Sequence, residues 1–369
     1  MRSGHNGVKR KKEERIVRRL PIYFLLDVSD SMAGKPREHL EKGIKNIVQR
    51  LRSDPHALET AHVAVIAFAG RARQLVPLTD LINFTAPNLP IGSGTSLGLA
   101  IEELMEAMKR EIVPTTRESK GDWKPLVYIL TDGKPTDGYE LAFARWKQEF
   151  EGKAHVMGVG LGEYAATDVL SQVCDQVITY NGESEQEFDG LVRWITSSIS
   201  SVSEAPGKVD LKKASGISLN KEGLALAPAG TTVRQDQDCV ILVGRCQTSK
   251  QPFLVKYDRV KGINETADLD FSVEIQAPDI FQHSGSHIID ESYFEWSAAL
   301  ETDALSVRSD QLQGPFACPH CGANYGAKCS CGKSMCLKEG QSSATCPWCN
   351  SQGELSGEGG GIDVSRSSG

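Results

Sequence analysis

Short apolar runs and amphipathic stretches alternate along the first two hundred residues. Pro21 to Leu26 has no charged position and ends in Asp27, which predicts a strand buried on both faces. Leu40, Ile44, Ile47, Val48 and Leu51 then recur at helical spacing and form one stripe. A hairpin is expected over 62–69 and 72–78, turning at Gly70-Arg71, and a helix over 97–109 carries Leu97, Ile101, Leu104, Met105 and Met108 on one side. Further strands are expected at 126–130, 154–159 and 177–180, with helices at 139–151, 167–174 and 186–200. Strand and helix alternating at these lengths predict a doubly wound, Rossmann-like α/β sheet with one antiparallel edge strand. This domain is expected to span 20–203.

From Pro206 the pattern changes. Residues 206–310 carry short β-prone runs (Cys239 to Gly244, Phe253 to Tyr257, Phe271 to Ile275) and one helical stretch at 292–300, which predicts a small β-rich domain. A Cys-rich module follows at 315–350. The Gly- and Ser-rich end, 351–369, is expected to be a disordered tail.

Charge narrows the function classes. Lys and Arg total 41 against 48 Asp and Glu, a net charge of −7, which excludes a generally basic nucleic-acid binder. Residues 1–19 are the exception, with eight Lys or Arg against Glu13 and Glu14, and read as a basic, solvated extension. No run approaches the ~18–20 apolar residues of a membrane span. The basic start also lacks the apolar length and cleavage site of a secretion signal, so a cytoplasmic protein is expected.

Three loops at strand ends carry hard oxygen donors: Asp27-Val-Ser29-Asp-Ser31, Thr95 in Gly-Ser-Gly-Thr95-Ser, and Asp132 before Gly133. Alternation lets Asp27, Ser29 and Ser31 converge, and hydroxyls with carboxylates suit Mg²⁺ or Mn²⁺. The trio resembles the metal-ion-dependent adhesion site of von Willebrand factor A domains, D-x-S-x-S followed by a distant Thr and a distant Asp. That resemblance implies that Ser29, Ser31 and Thr95 bind the ion directly, that Asp27 and Asp132 act mainly through water, and that a partner's carboxylate completes the octahedron. Asp30 stands where many members have Gly. Two other motifs carry less. Gly94-Thr-Ser96-Leu-Gly98 fits a nucleophile elbow but lacks a strand running into it, and Gly158-Val-Gly160-Leu-Gly162 lacks the third dinucleotide glycine.

Of ten Cys, seven lie between Cys318 and Cys349, an odd number that disulfides alone could not pair. Cys318-Pro-His-Cys321 and Cys346-Pro-Trp-Cys349 are C-x-x-C turns suited to one tetrahedral Zn²⁺. Cys329, Cys331 and Cys336, with His320, offer ligands for a second ion. A module this small draws most of its folding energy from metal.

Together, the start Arg18-Arg-Leu-Pro-Ile-Tyr23, the adhesion-site motif and the terminal Cys module resemble the TerY family of tellurite-resistance-associated proteins. The resemblance covers 18–203 and 315–350. It implies a cytoplasmic, non-enzymatic protein-interaction scaffold, acting with a protein kinase and a PP2C-type phosphatase in a stress or phospho-signalling pathway. The rival class is an enzyme, either a metal-dependent hydrolase or a thiol oxidoreductase.

Overall fold

The computed structural model describes residues 18–162, 165–180, 185–204, 224–226, 239–260, 280–298, 306–354 and 363–365. Its first sheet is built on β1 (Leu20–Asp27), in which every residue is buried. Alternate side chains of β1 enter two different cores. Leu20, Ile22, Phe24 and Leu26 face the helices α1 (Lys35–Arg52) and α6 (Glu185–Glu204), whereas Tyr23 and Leu25 face α3 (Leu97–Glu111) and α4 (Glu140–Phe150). Burial on both faces explains why the strand reads as a continuous apolar run. The stripe read from the sequence, Leu40 to Leu51, is the buried side of α1.

A short helix, α2 (Pro55–Thr60), was not foreseen. Asp54 caps it by accepting from the His56 and Ala57 amides, and Pro55 takes the first helical position. The remaining elements are β2 (Ala61–Phe68), β3 (Ala72–Asp80), β4 (Leu126–Thr131), β5 (His155–Leu161), α5 (Thr167–Leu170) and β6 (Gln176–Tyr180). With β7 (Leu224–Leu226) they form a seven-stranded sheet of order β3-β2-β1-β4-β5-β6-β7. β3 is antiparallel to β2 as expected, but β7 adds a second antiparallel edge next to β6. The chain leaves β1 toward β2 on one side and returns to β4 on the other. This makes the carboxyl ends of β1 and β4 the switch point where such sheets place their sites.

The second unit departs from the expected division. β8 (Cys239–Arg245), β9 (Pro252–Arg259) and β10 (Phe281–Ile288) lead to α7 (Ser292–Trp296), followed by β11 (Ser306–Arg308), β12 (Leu312–Gln313), β13 (Tyr325–Lys328) and β14 (Ser334–Leu337). One six-stranded sheet, β12-β10-β9-β8-β14-β13, joins them, with Ser334 opposite Gly244. The boundary expected near 310–315 therefore falls inside a sheet. The Cys-rich segment has little apolar surface of its own, and it shares a core with Val240, Phe253, Val255 and Phe281. β15 (Ser343–Thr345) pairs with β16 (Gln352–Glu354), and β17 (Asp363–Ser365) pairs with β11, so parts of the expected tail are strands.

The expected strand at Phe271 to Ile275 and residues 1–17 lie outside the described residues. Arg18 and Arg19 belong to the first domain rather than to an arm. Arg18 stacks over Trp123 at 3.5 Å, and Arg19 is paired with Asp122 at 2.6 Å. Among the described residues, no helix is long and apolar enough to cross a membrane.

Candidate metal centres

The first centre forms where β1 and β4 end. Asp27 closes β1 and its carboxylate accepts on both oxygens: Oδ1 from the Ser29 amide at 2.9 Å, Oδ2 from the Thr131 hydroxyl. These bonds turn the chain so that Ser29 and Ser31 face the same way, with Oγ atoms 2.9 Å apart. Ser31 Oγ donates to Asp132 Oδ1 at 3.1 Å, which ties the β1 loop to the β4 loop. Thr95 is held by its backbone: its amide donates to Thr136 Oγ1 at 2.8 Å, and its carbonyl accepts from the Thr136 amide at 2.9 Å. Asp137 then caps α3 from outside by accepting from the Gly98 and Leu99 amides. Asp27, at the end of β1, and Ser29, Ser31, Thr95 and Asp132, in the loops beyond the strands, thus lie at one end of the sheet.

Two observations fit a small divalent cation. Oxygens on one edge of an Mg²⁺ octahedron stand about 3 Å apart, close to the 2.9 Å between the two serine hydroxyls. The Thr95 hydroxyl is buried with no hydrogen-bond partner, and an ion would use it. The electrostatics agree. Burial, reinforced by the charge of Asp132 and opposed by bonds from Ser29 and Thr131, pushes the Asp27 carboxyl up to about 7. Asp132 is also raised by burial, against the pull of Lys256 and Ser31. Two carboxyls strained upward in this way are relieved by a positive ion between them.

The second and third centres are thiol clusters, and they correct the expected pairing. Cys318 and Cys321 do not join Cys346 and Cys349. One cluster is Cys246, Cys318, Cys321 and Cys336, and the other is Cys329, Cys331, Cys346 and Cys349, with the Sγ atoms of each within 4.8 Å of one another. Tetrahedral zinc with ordinary Zn–S bonds sets sulfurs about 3.8 Å apart. The contacts Cys321–Cys336 at 3.7 Å, Cys329–Cys349 at 3.8 Å and Cys331–Cys346 at 3.8 Å match that edge. His320 stands apart from the ligand set. Its Nε2 donates to the Pro252 carbonyl at 3.0 Å.

The cluster member missed from the sequence is Cys246, in the β8–β9 turn. Its carbonyl accepts from the Lys250 amide, and Lys250 adopts a positive φ of 61°. Cys318 with Gly322 and Cys346 with Asn350 repeat this turn, the latter two at φ of 71° and 61°. Ser249 occupies the place of a second Cys, so the turn does not read as C-x-x-C; Cys336 from β14 takes that role. Local amides set the thiol ionisation. Burial opposes it at Cys246, yet the Ser249 and Thr248 amides bring the thiol down to about 6, whereas burial raises Cys318 and Cys336. In the other cluster the Cys331 amide and Ser351 draw Cys329 down to about 6.

Residues 22–193 match the von Willebrand factor type A domain, and residues 236–369 match the TerY-C metal binding domain. The second match begins ahead of Cys246 and takes in both clusters. No curated protein matches the chain. Among solved structures, proximal thread matrix protein 1 from the mussel byssus is 18% identical, covering 49% of this chain and 48% of its own, with a TM-score of 0.37. The ArnB paralog VWA2 from Sulfolobus acidocaldarius is 18% identical over 48% of this chain and 45% of its own, at 0.35. The pilus adhesin SpaC from Lactobacillus rhamnosus GG is 12% identical over 51% of this chain and 30% of its own, at 0.40. This chain therefore spans half or less of each of these proteins.

Proposed function

We propose that this chain, a von Willebrand factor A domain followed by a TerY-C metal binding domain, is a non-catalytic scaffold that docks a protein partner through a metal ion. Mg²⁺ would be held by the hydroxyls of Ser29, Ser31 and Thr95, with Asp27 and Asp132 in support, and would supply an electrophilic seat for a carboxylate. The observation that carries this reading is the pair of serine hydroxyls at octahedral spacing, in a loop bridged through Ser29 and Gly92 to the Thr95 loop, where the Thr95 hydroxyl is buried and unpartnered. Each thiol cluster would hold one Zn²⁺ with a structural role, since four thiolates fill a tetrahedral site. Separation of the two C-x-x-C turns into different clusters favours this over thiol exchange, because each thiol faces three others at metal-holding distance.

Reduced thiolates at these sites suit the cytoplasm. The resemblance to TerY relatives, often encoded beside a protein kinase and a PP2C-type phosphatase, makes those two enzymes the first partners to test. The experiment is capture of each purified candidate by wild type, Asp27→Ala and Thr95→Val, with and without Mg²⁺. Capture by wild type with Mg²⁺ alone is expected. Equal capture by all three proteins without Mg²⁺ would remove the ion from the interaction.

A further inference from the structure

The second unit of the chain sits on the very face through which a partner carboxylate would reach the ion. Lys256 of β9 donates from Nζ to the Ser31 carbonyl at 2.6 Å, and its side chain is only 14% exposed. The Tyr293 hydroxyl of α7 donates to Asp30 Oδ2 at 3.1 Å. The Ser93 amide, two residues from Thr95, donates to Ser297 Oγ at 2.9 Å, and the Ala298 amide donates back to the Ser93 carbonyl at 2.9 Å. Beside these bonds, Ala33 and Ile91 share one apolar cluster with Ile241, Leu254, Ile289 and Tyr293.

The approach is so close that only glycine fits beneath it. A Cβ on Gly70 would lie 1.7 Å from Ala298 N, and one on Gly92 would lie 2.6 Å from Trp296 C. Asp27 and Ser29 are 0% exposed and Thr95 is 1% exposed, while Ser31 keeps 8% and Asp132 is half-buried. The inner donors of the site are thus closed to a carboxylate from another molecule, and its rim is narrow. A cavity of about 810 Å³ lies in the second unit, lined among others by Tyr293, Phe294, Ser297 and Trp348, and reaches the seam at Ser93.

We infer that the TerY-C unit is an autoinhibitory cap on the vWA metal site, held shut by Lys256 and by the Ser93–Ala298 strap, and that cation and cap compete for that site. This rests on the metal-docking reading above and adds its regulation. The physical ground is charge. The Lys256 ammonium reaches the Ser31 loop and acts on Asp132, as a divalent ion would, and two positive groups so close repel each other. By linkage, whatever factor the ion takes from cap closure, the cap takes from ion affinity. Opening the cap exposes the seat for a partner and bares the apolar face of β8 and β9 at the same moment.

The test uses the full chain loaded with zinc and titrated with Mn²⁺, comparing wild type with Gly70→Ala, Lys256→Met and Asp27→Ala. Gly70→Ala wedges the strap apart and Lys256→Met removes the ammonium while keeping most of its stem; neither replaces a residue of the ion's donor set. Each of the two should bind Mn²⁺ about tenfold more tightly than wild type. Saturating Mn²⁺ should also speed hydrogen exchange at the wild-type Ser93 and Ala298 amides by about tenfold. Because the two variants break different contacts, misfolding of one leaves the other to decide. Equal Mn²⁺ affinity in wild type and the folded variants, with unchanged exchange at those amides, overturns the cap while leaving the metal site intact. Undiminished Mn²⁺ binding by Asp27→Ala overturns the metal-docking reading itself.

Discussion

A buried hydroxyl with no partner costs about 1–3 kcal/mol, and Thr95 Oγ1 is such a group. Thr95→Val keeps the side chain's shape and deletes that atom. Without added metal, calorimetry should find the variant at least as stable as wild type, yet its Mn²⁺ affinity should fall by about tenfold or more. A drop in stability with no loss of affinity would assign Thr95 to packing. Asp27 supplies a pH signature. Its folded-state carboxyl is pushed to about 7 by burial and by the charge of Asp132, while an unfolded aspartate titrates near 4. Between those values the folded chain binds more protons, so zinc-loaded protein free of Mg²⁺ should lose stability as pH rises from about 4 to about 7 and level off above that. Urea unfolding across that window should show a shallower loss for Asp27→Asn; identical slopes would contradict the assignment. That Asp27, Ser29, Ser31, Thr95 and Asp132 share one end of the sheet was legible from the sequence, because the motif falls on strand ends. Lys256 and Tyr293 were not, because nothing in a lone Lys or Tyr signals that it packs against a loop more than two hundred residues away.

At the scale of elements, the β8–β9 turn decides what the thiols do. Cys246 brings that turn to Cys318, Cys321 and Cys336, so a metal here joins the hairpin to the Cys-rich segment. Zinc analysis should give two ions per chain for wild type and one for Cys246→Ser. Had the outer C-x-x-C turns shared one ion, Cys246→Ser would leave the count unchanged. Cys349→Ser should also remove one ion but disturb less structure, because its cluster lies at an exposed edge whereas three members of the Cys246 cluster are buried. Proteolysis should therefore cut Cys246→Ser throughout β8–β14 and cut Cys349→Ser only in the β13–β14 loop and beyond β14. Seven clustered Cys with His320 were expected to make up eight ligands. The His320 ring is instead engaged by the Pro252 carbonyl, and the eighth thiol lies in a turn whose second Cys position is Ser249. Strands and helices of the first domain were legible because each buries an uninterrupted or 3.6-period face. The single sheet across 239–337 was not, since its pairing joins strands far apart in sequence.

For the whole molecule, the two units depend on metal in opposite ways. Chelating zinc removes folding energy from the second unit alone, because the first has two apolar cores of its own. Calorimetry after zinc removal should keep the transition of the vWA domain and lose that of the TerY-C domain. A single transition that vanished as a whole would mean that the vWA domain cannot stand without its cap. The central claim is that three metal seats exist, one of oxygens and two of thiolates. The most direct measurement is anomalous diffraction, at the manganese and zinc edges, from crystals of the full chain saturated with both ions. One manganese peak is expected among Ser29, Ser31 and Thr95, and one zinc peak inside each four-cysteine cluster. A lone zinc peak between the two C-x-x-C turns, or no manganese among those hydroxyls at saturation, would contradict it.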